Sequence, residues 1–245
     1  TIGAVVGVQP FGGEGLSGTG PKAGGPLYLR RLLARHPADA RELLLREGLA
    51  SHHAPGPVPR PALQALQRWA DTAMPALAER CALYAGQSPA DLELLLPGPT
   101  GERNSYRLVA RPSTLCLADR PEGLLWLLAA VLAVGGKAVW PAEHTTLFTR
   151  LPAGVTAQLV LVSNWAQALA ENRLHVDAVL HAGPADTLLA LQQRLHGRSG
   201  ALATVVHLDQ HEAPVPLERL LIERAVSTNT AAAGGNASLL ALNGH

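Results

Sequence analysis

Three glycines near the start of the chain have the spacing of a dinucleotide-binding loop. Gly13, Gly15 and Gly18 match the pattern GxGxxG, in which glycine lets the backbone approach a pyrophosphate at the start of a helix. The pattern binds a dinucleotide when a strand precedes it, a helix follows it and an acidic residue stands about 20 positions later. Here Gly20–Pro21 interrupts the start of a helix, and Asp39 falls in an arginine-rich helical stretch. An independent NAD-binding domain is therefore the less favoured of several interpretations.

The cysteines and histidines do not form a convincing catalytic or metal-binding pattern. Cys116 lies in an apolar stretch and Cys81 lies beside Arg80 on a predicted helix; a buried thiol has a raised pKa and is a poor nucleophile. The chain has no CxxC motif, which argues against a zinc site and favours reduced thiols. His52 and His53 lie in the linker and could bind a metal only with distant help, so a solvated loop is favoured. Other histidines, such as His175, His181, His207 and His211, share no ligand spacing. We predict no catalytic residue, no cofactor-binding residue and no metal site in this chain.

The end of the chain has the composition of a docking segment. Residues 227–230 are polar and prone to form a strand, and residues 231–238 carry only small side chains. An edge strand followed by such a segment favours strand addition to another domain or subunit, although a frayed terminus is the simpler alternative. The candidate interface residues are Thr228, Asn229, Thr230, Gly234, Gly235 and Asn236.

The elements that position these residues alternate between strands and helices. Strands are predicted over 4–8, 106–110, 114–118, 138–140, 158–162, 176–180 and 202–208, and residues 218–226 fit either a helix or a strand. Helices are predicted over 27–48 with a break at Pro37, 62–86 with a break at Pro75, 121–134, 143–151, 165–172 and 184–195. Asp119 with Glu122 is expected to cap the helix over 121–134. This alternation predicts an α/β fold with a Rossmann-like, doubly wound, mostly parallel sheet.

Proline and glycine content divides the chain into regions. Four prolines stiffen residues 51–61, which we interpret as a linker. The predicted regions are therefore a glycine-rich part over 1–50, the linker over 51–61, an α/β domain over 62–222 and a terminal strand with its tail over 223–245.

The composition excludes several classes of protein. With 47% apolar and 16% charged residues, the 245-residue chain can bury a core and is not wholly disordered. Its 20 basic and 19 acidic residues give a net charge of +1, which argues against a dedicated nucleic-acid surface. The longest apolar stretch, residues 124–134, is shorter than the roughly 18 residues that span a bilayer. We expect a cytoplasmic protein, and the glycine-rich start without Met suggests a piece of a longer one.

Motifs at both ends resemble a known family. The stretch IGAVVGVQPFGG over residues 2–13, with LSGTGPKAGG over 16–25, resembles the end of the catalytic domain of an aldehyde dehydrogenase, and more narrowly the proline utilization A (PutA) family. Residues 98–104, 115–119 and 129–135 resemble the extra C-terminal domain of the longer PutA proteins. Residues 223–239 are similar to the terminal motif of that family.

The resemblance implies a function for the full-length protein. A flavin (FAD) domain would oxidise proline, and an NAD-dependent L-glutamate-γ-semialdehyde dehydrogenase would oxidise the product after it passes through an internal channel. Gly3 and Ala4 would bind the substrate carboxylate through backbone N–H groups, and Phe11 would lie beside the aldehyde. The nucleophilic cysteine and the NAD and FAD sites would lie before Thr1, so this chain alone is expected to be inactive.

The same resemblance implies partners and a location. The α/β domain would be non-catalytic and would seal the channel, with its terminal strand packed on the dehydrogenase domain of the same parent chain in a homo-oligomer. Electron transfer to quinone could bring the parent to the inner membrane surface, although no residue of this chain indicates such a contact. The other alternative is a stand-alone interaction module with no share in the chemistry.

Overall fold

The centre of the fold is a five-stranded parallel sheet. The computed structural model describes residues 4–33, 37–46 and 58–230. The strands are β3 (Ser113–Ala118), β4 (Lys137–Pro141), β5 (Leu159–Val162), β6 (Ala178–Ala182) and β7 (Thr204–Leu208), in the order β5-β4-β3-β6-β7. Every neighbouring pair is parallel. The chain builds outward from β3 in one direction and then returns to add β6 and β7 on the other side, so the predicted doubly wound α/β fold is confirmed.

The helix α4 (Pro121–Val134) forms the middle of the core. Every residue from Gly123 to Val134 is buried, because the helix is apolar on all sides and packs between the sheet and other helices. Its bounds agree with the prediction: Pro121 needs no N–H at the first position, and Gly135 adopts a φ of +78° at the end. The predicted cap is wrong, since Arg120 precedes the helix without a side-chain cap bond.

Two amphipathic helices cover α4. They are α2 (Pro61–Ala73) and α3 (Pro75–Gln87), and the predicted break at Pro75 is confirmed. Leu63, Leu66 and Leu77 are buried by this packing. The remaining helices are α1 (Ala40–Arg46), α5 (Thr145–Phe148), α6 (Ala153–Thr156), α7 (Trp165–Ala170) and α8 (Ala185–His196).

A second, antiparallel sheet was not predicted. It contains β1 (Glu93–Leu96), β2 (Glu102–Ala110) and β8 (Leu221–Asn229), in the order β1-β2-β8. The register of β2 and β8 runs from Glu102 opposite Asn229 to Ala110 opposite Leu221. The ambiguous residues 218–226 therefore divide into a 3-10 turn over Leu217–Leu220 and a strand. The region boundary placed between residues 222 and 223 falls inside β8.

The start of the described chain differs from its prediction. The strand expected over residues 4–8 is instead a turn, in which the Val5 carbonyl accepts N–H groups from Val8 (3.1 Å) and Gln9 (2.9 Å). The Gln9 side chain also accepts the Val5 N–H (2.9 Å), so local bonds replace a ladder. Around Pro37 the predicted helical stretch contains a 3-10 turn over Leu29–Leu32 and then α1. Linker residues 51–57 lie outside the described residues.

Candidate functional site

Two of the predicted substrate residues, Ala4 and Phe11, lie on an N-terminal segment, residues 4–33, that is folded back on itself. Phe11 and Ala23 exchange backbone hydrogen bonds of 3.1 and 2.7 Å, and the Lys22 ammonium donates to the carbonyls of Gly12 and Gly13. Phe11 keeps 47% of its surface exposed. Ala4 is exposed as well, whereas Gly3 lies outside the described residues.

An apolar surface extends along this segment. Val5, Val6 and Leu16 are 56%, 75% and 83% exposed, and they accompany Phe11 on the same short stretch of chain. Large exposed apolar groups that are neighbours in this way are typical of a surface that another domain covers.

One buried carboxylate fastens the segment to the antiparallel sheet. Glu223 of β8 accepts the backbone N–H of Lys22 (2.8 Å) and the hydroxyl of Tyr106 on β2. Burial raises the pKa of Glu223, against the opposing effects of Tyr106 and Lys22. A side chain at Gly25 would place its Cβ 3.0 Å from the Glu223 carboxylate, so glycine is needed for the close approach. Glu223 therefore fixes the segment's position on the sheet.

An arginine makes a second attachment. The buried Arg30 donates to Glu218 (3.1 Å) and to Asp39 (2.7 Å). Burial acts to lower the pKa of Arg30, but the hydrogen bonds and charges of the two acids outweigh it and raise the pKa. Asp39, the acidic residue considered for a dinucleotide ribose, is instead an ion-pair partner, and the bond from Arg30 lowers its pKa.

The three glycines of the GxGxxG pattern do not stand between a strand and a helix. Gly15 opens a three-residue 3-10 turn, Gly15–Ser17, and within the described residues before it the backbone forms a turn and an isolated bridge. The geometry that places a pyrophosphate on a helix N-terminus is therefore not formed at Gly13, Gly15 and Gly18.

The carboxyl edge of the parallel sheet, where nucleotides bind in this class of fold, is filled by side chains. His211 bonds to Asp119 at 2.7 Å, and a Cβ on Gly123 would lie 2.6 Å from the His211 ring. Nearby, the Nδ1 atoms of His181 and His207 are 3.0 Å apart. No sequence pattern indicated these contacts, because the histidines are far apart along the chain. In the part of the chain that the structure describes, no group of three or more His, Cys, Asp or Glu side chains could hold a metal ion.

Both thiols are buried and free. Burial raises the pKa of Cys81 to about 12, with a smaller effect from Asp71, and burial raises the pKa of Cys116 as well. Neither has the environment of a reactive thiolate. Both lie within the core, as the sequence indicated.

The structure describes three of the six predicted interface residues. Thr228 and Asn229 belong to β8 and pair with Arg103 and Glu102 of β2, and the Thr230 N–H donates to the Gly101 carbonyl (2.7 Å). Gly234, Gly235 and Asn236 lie outside the described residues. The hydrogen bonds of β8 thus go to the chain's own sheet, in which β8 is an edge strand.

Comparison with known proteins identifies the chain's relatives. It is 47% identical over 246 residues to the bifunctional protein PutA of Salmonella typhimurium and 46% identical over 248 residues to that of Escherichia coli, each match covering 98% of the chain. The chain is homologous to one part of PutA. PutA of Rhizobium meliloti is 39% identical over 249 residues. The chain spans about a fifth of the length of these PutA proteins, 18% for the first two.

A solved structure supports the fold. PutA from Corynebacterium freiburgense superimposes with a TM-score of 0.51 over 92% of this chain and 19% of that chain, at 20% identity. No protein-family model matches the sequence. In the described residues, no helix combines the length and apolar character needed to cross a membrane.

Proposed function

We propose that this chain is part of a bifunctional protein that oxidises proline to glutamate. The observation that carries the proposal is 47% identity to a PutA along 98% of the chain. In this role the chain completes the substrate site of an NAD-dependent L-glutamate-γ-semialdehyde dehydrogenase and adds a non-catalytic α/β domain that seals the substrate channel. NAD and FAD would bind to other parts of the full-length protein.

The N-terminal segment has suitable chemistry for holding the semialdehyde. Backbone N–H groups at Gly3 and Ala4 would bind the substrate carboxylate, because small residues leave the amides accessible to an anion. Phe11 would form an apolar wall beside the aldehyde carbon and exclude water there. Its exposed ring, with Val5 and Val6, supports this proposal because it leaves apolar surface for the rest of a dehydrogenase domain to cover.

The chain's own residues would bind and orient substrate without performing the oxidation. Cys81 and Cys116 are buried with raised pKa values, so neither is suited to attack an aldehyde. We therefore expect the chain alone to be inactive, with the nucleophile and the NAD site supplied by the dehydrogenase domain of the same parent protein.

The position of β8 at the edge of the described antiparallel sheet suggests how the α/β domain makes its contacts. Strand addition at Thr228, Asn229 and Thr230 would join it to the dehydrogenase domain or to a second copy in a homo-oligomer. We infer that the parent protein is cytoplasmic and that other parts of it would make any peripheral contact with the membrane.

Replacing Phe11 in the full-length protein tests the substrate role. Burial of a phenylalanine side chain is worth about 1.5–3 kcal/mol, so Phe11→Ala should lower kcat/KM for semialdehyde oxidation roughly 10- to 100-fold. Proline oxidation, measured separately with a dye as electron acceptor, should not change. Leu189→Ala on α8, where the side chain is 57% exposed, is the matched control. An unchanged kcat/KM in the Phe11 variant would favour the interaction-module alternative.

A further inference from the structure

An open cavity of about 610 Å³ separates the N-terminal segment from the α/β domain. Its walls include residues 13–15 and 18–22 on one side and, on the other, Pro112, Asp177 and Thr204, which stand at the amino ends of β3, β6 and β7. This is the edge of the parallel sheet opposite to the one filled by His211. The volume is within the range of small-molecule sites, about 300–1,000 Å³.

Three arginines from separate segments line this cavity: Arg31, Arg111 and Arg219. Arg111 donates to two carbonyl oxygens, those of Arg219 (3.2 Å) and Asp177 (3.4 Å). The Arg31 guanidinium lies 5.3 Å from the centre of the Tyr28 ring. Among the described residues, no carboxylate forms an ion pair with any of these three arginines, and the Arg219 guanidinium makes no hydrogen bond to any of those residues.

The acidic groups of the cavity are already engaged. Glu218 bonds to Arg30 at 3.1 Å, and Glu14 bonds to Arg224 at 3.0 Å. Glu223 accepts from Lys22 and Tyr106. Asp177, the fourth acid of the lining, accepts the Ser113 N–H at 3.1 Å. Six basic and four acidic side chains line the cavity, which leaves a surplus of positive charge.

This surplus is unfavourable when the cavity holds only water. Burial lowers the pKa of Arg219, with Glu218 opposing and the charge of Arg31 adding to the effect. Burial also lowers the pKa of Arg111, with Asp177 opposing and Arg219 adding. A bound anion would offset both the desolvation and the mutual repulsion.

We propose that this cavity binds a phosphate group, carried by a soluble small molecule or by a lipid headgroup. The guanidinium fork matches phosphate oxygens in pairs, and three cations suit a multiply charged anion better than a single carboxylate. Leu202 also lines the cavity and is 71% exposed, so it provides apolar surface for the organic part of the ligand. This site is independent of the proposed semialdehyde site, since none of the residues assigned there lines it.

The test uses the full-length protein that carries this chain. Binding of inorganic pyrophosphate is measured by isothermal titration calorimetry, and binding to vesicles containing phosphatidic acid is compared with binding to vesicles of phosphatidylcholine alone. The variant is Arg31→Gln/Arg219→Gln, because within the described residues neither side chain makes a hydrogen bond whose loss would disturb the walls of the cavity. Arg107→Gln is the matched control, since Arg107 is exposed on β2 and lies outside the cavity.

We expect the double variant to weaken binding at least tenfold in one of the two arms, while Arg107→Gln changes it less than twofold. Loss in the pyrophosphate arm identifies a soluble ligand, and loss only with phosphatidic acid vesicles identifies a headgroup. Three results would overturn the proposal: no saturable binding in either arm, equal binding by wild type and the double variant, or equal weakening by the control.

Discussion

Removing the Glu223 carboxylate should release the N-terminal segment and destabilise the fold. Glu223 is 6% exposed and Tyr106 is fully buried, so Glu223→Ala leaves the Tyr106 hydroxyl without its acceptor and also frees the Lys22 N–H. A hydrogen bond to a charged group contributes about 1.5–3 kcal/mol. Because relief of the buried charge offsets part of that loss, we expect the free energy of unfolding to fall by about 2–4 kcal/mol.

Glu223→Gln separates the hydrogen bonds from the charge. The glutamine oxygen can accept the Lys22 N–H while its amide donates to the Tyr106 oxygen, so both contacts survive. The bond to Tyr106 is reversed and its O–H proton loses its acceptor, so the cost should be about 1 kcal/mol, less than for Glu223→Ala. Urea unfolding followed by the fluorescence of the buried Trp126 and Trp140 measures both variants, with Glu93→Ala on the exposed face of β1 as the control.

The pH dependence gives an independent check on the same residue. Burial raises the pKa of Glu223 in the folded chain above its ordinary value of 4.5, so the folded state holds the proton more tightly than the unfolded state. The resulting stability is complete below pH 4.5 and is lost as the pH rises through the folded pKa. Glu223→Gln lacks this loss and should gain stability relative to wild type as the pH rises above 4.5. A glutamine variant as unstable as the alanine variant, or an alanine variant matching Glu93→Ala, would refute the reasoning.

Two further outcomes are expected. Cys81 and Cys116 should resist iodoacetamide near pH 8 in the folded chain and react once it is unfolded, because burial raises the pKa of Cys81 to about 12. Mass spectrometry counts the labels. Rapid labelling of the folded chain would contradict the buried positions. Deleting residues 228–245 from the full-length protein should lower semialdehyde oxidation and channelling but spare proline oxidation, since it removes the end of β8; equal loss of both activities, in paired assays, would indicate misfolding instead.

The parallel sheet and its central helix could be predicted because their signals are local. The apolar run of α4 is bounded by Pro121 and Gly135, and the strands around it are short apolar stretches separated by helical ones. The capping prediction failed by one residue, because α4 begins at Pro121 and the cap position is therefore Arg120. Asp119 bonds instead to His211, a residue distant in sequence that nothing in the local pattern indicated.

The antiparallel sheet was not predicted because its signals are not local. β1 has only four residues, Glu93–Leu96, and its partner β2 was predicted shorter than it is. β8 looked like either a helix or a strand, because its conformation is decided by pairing with β2 more than a hundred residues earlier. Strand preference depends strongly on such pairing, so the sequence around Leu221–Asn229 could not settle it.

The position of the N-terminal segment depends on polar contacts of this nonlocal kind. Lys22 and Glu223 are 201 residues apart, and Arg30 and Glu218 are 188 apart. Leu27 adds an apolar contact to the core, whereas Val5, Val6 and Phe11 remain exposed. Buried polar contacts are directional and costly to break singly, so they can hold the segment in one orientation while its apolar face stays free. Because polar contacts hold the segment and apolar side chains stay exposed, the α/β domain presents the segment as a preformed surface. Completing a neighbouring substrate site would require such a surface.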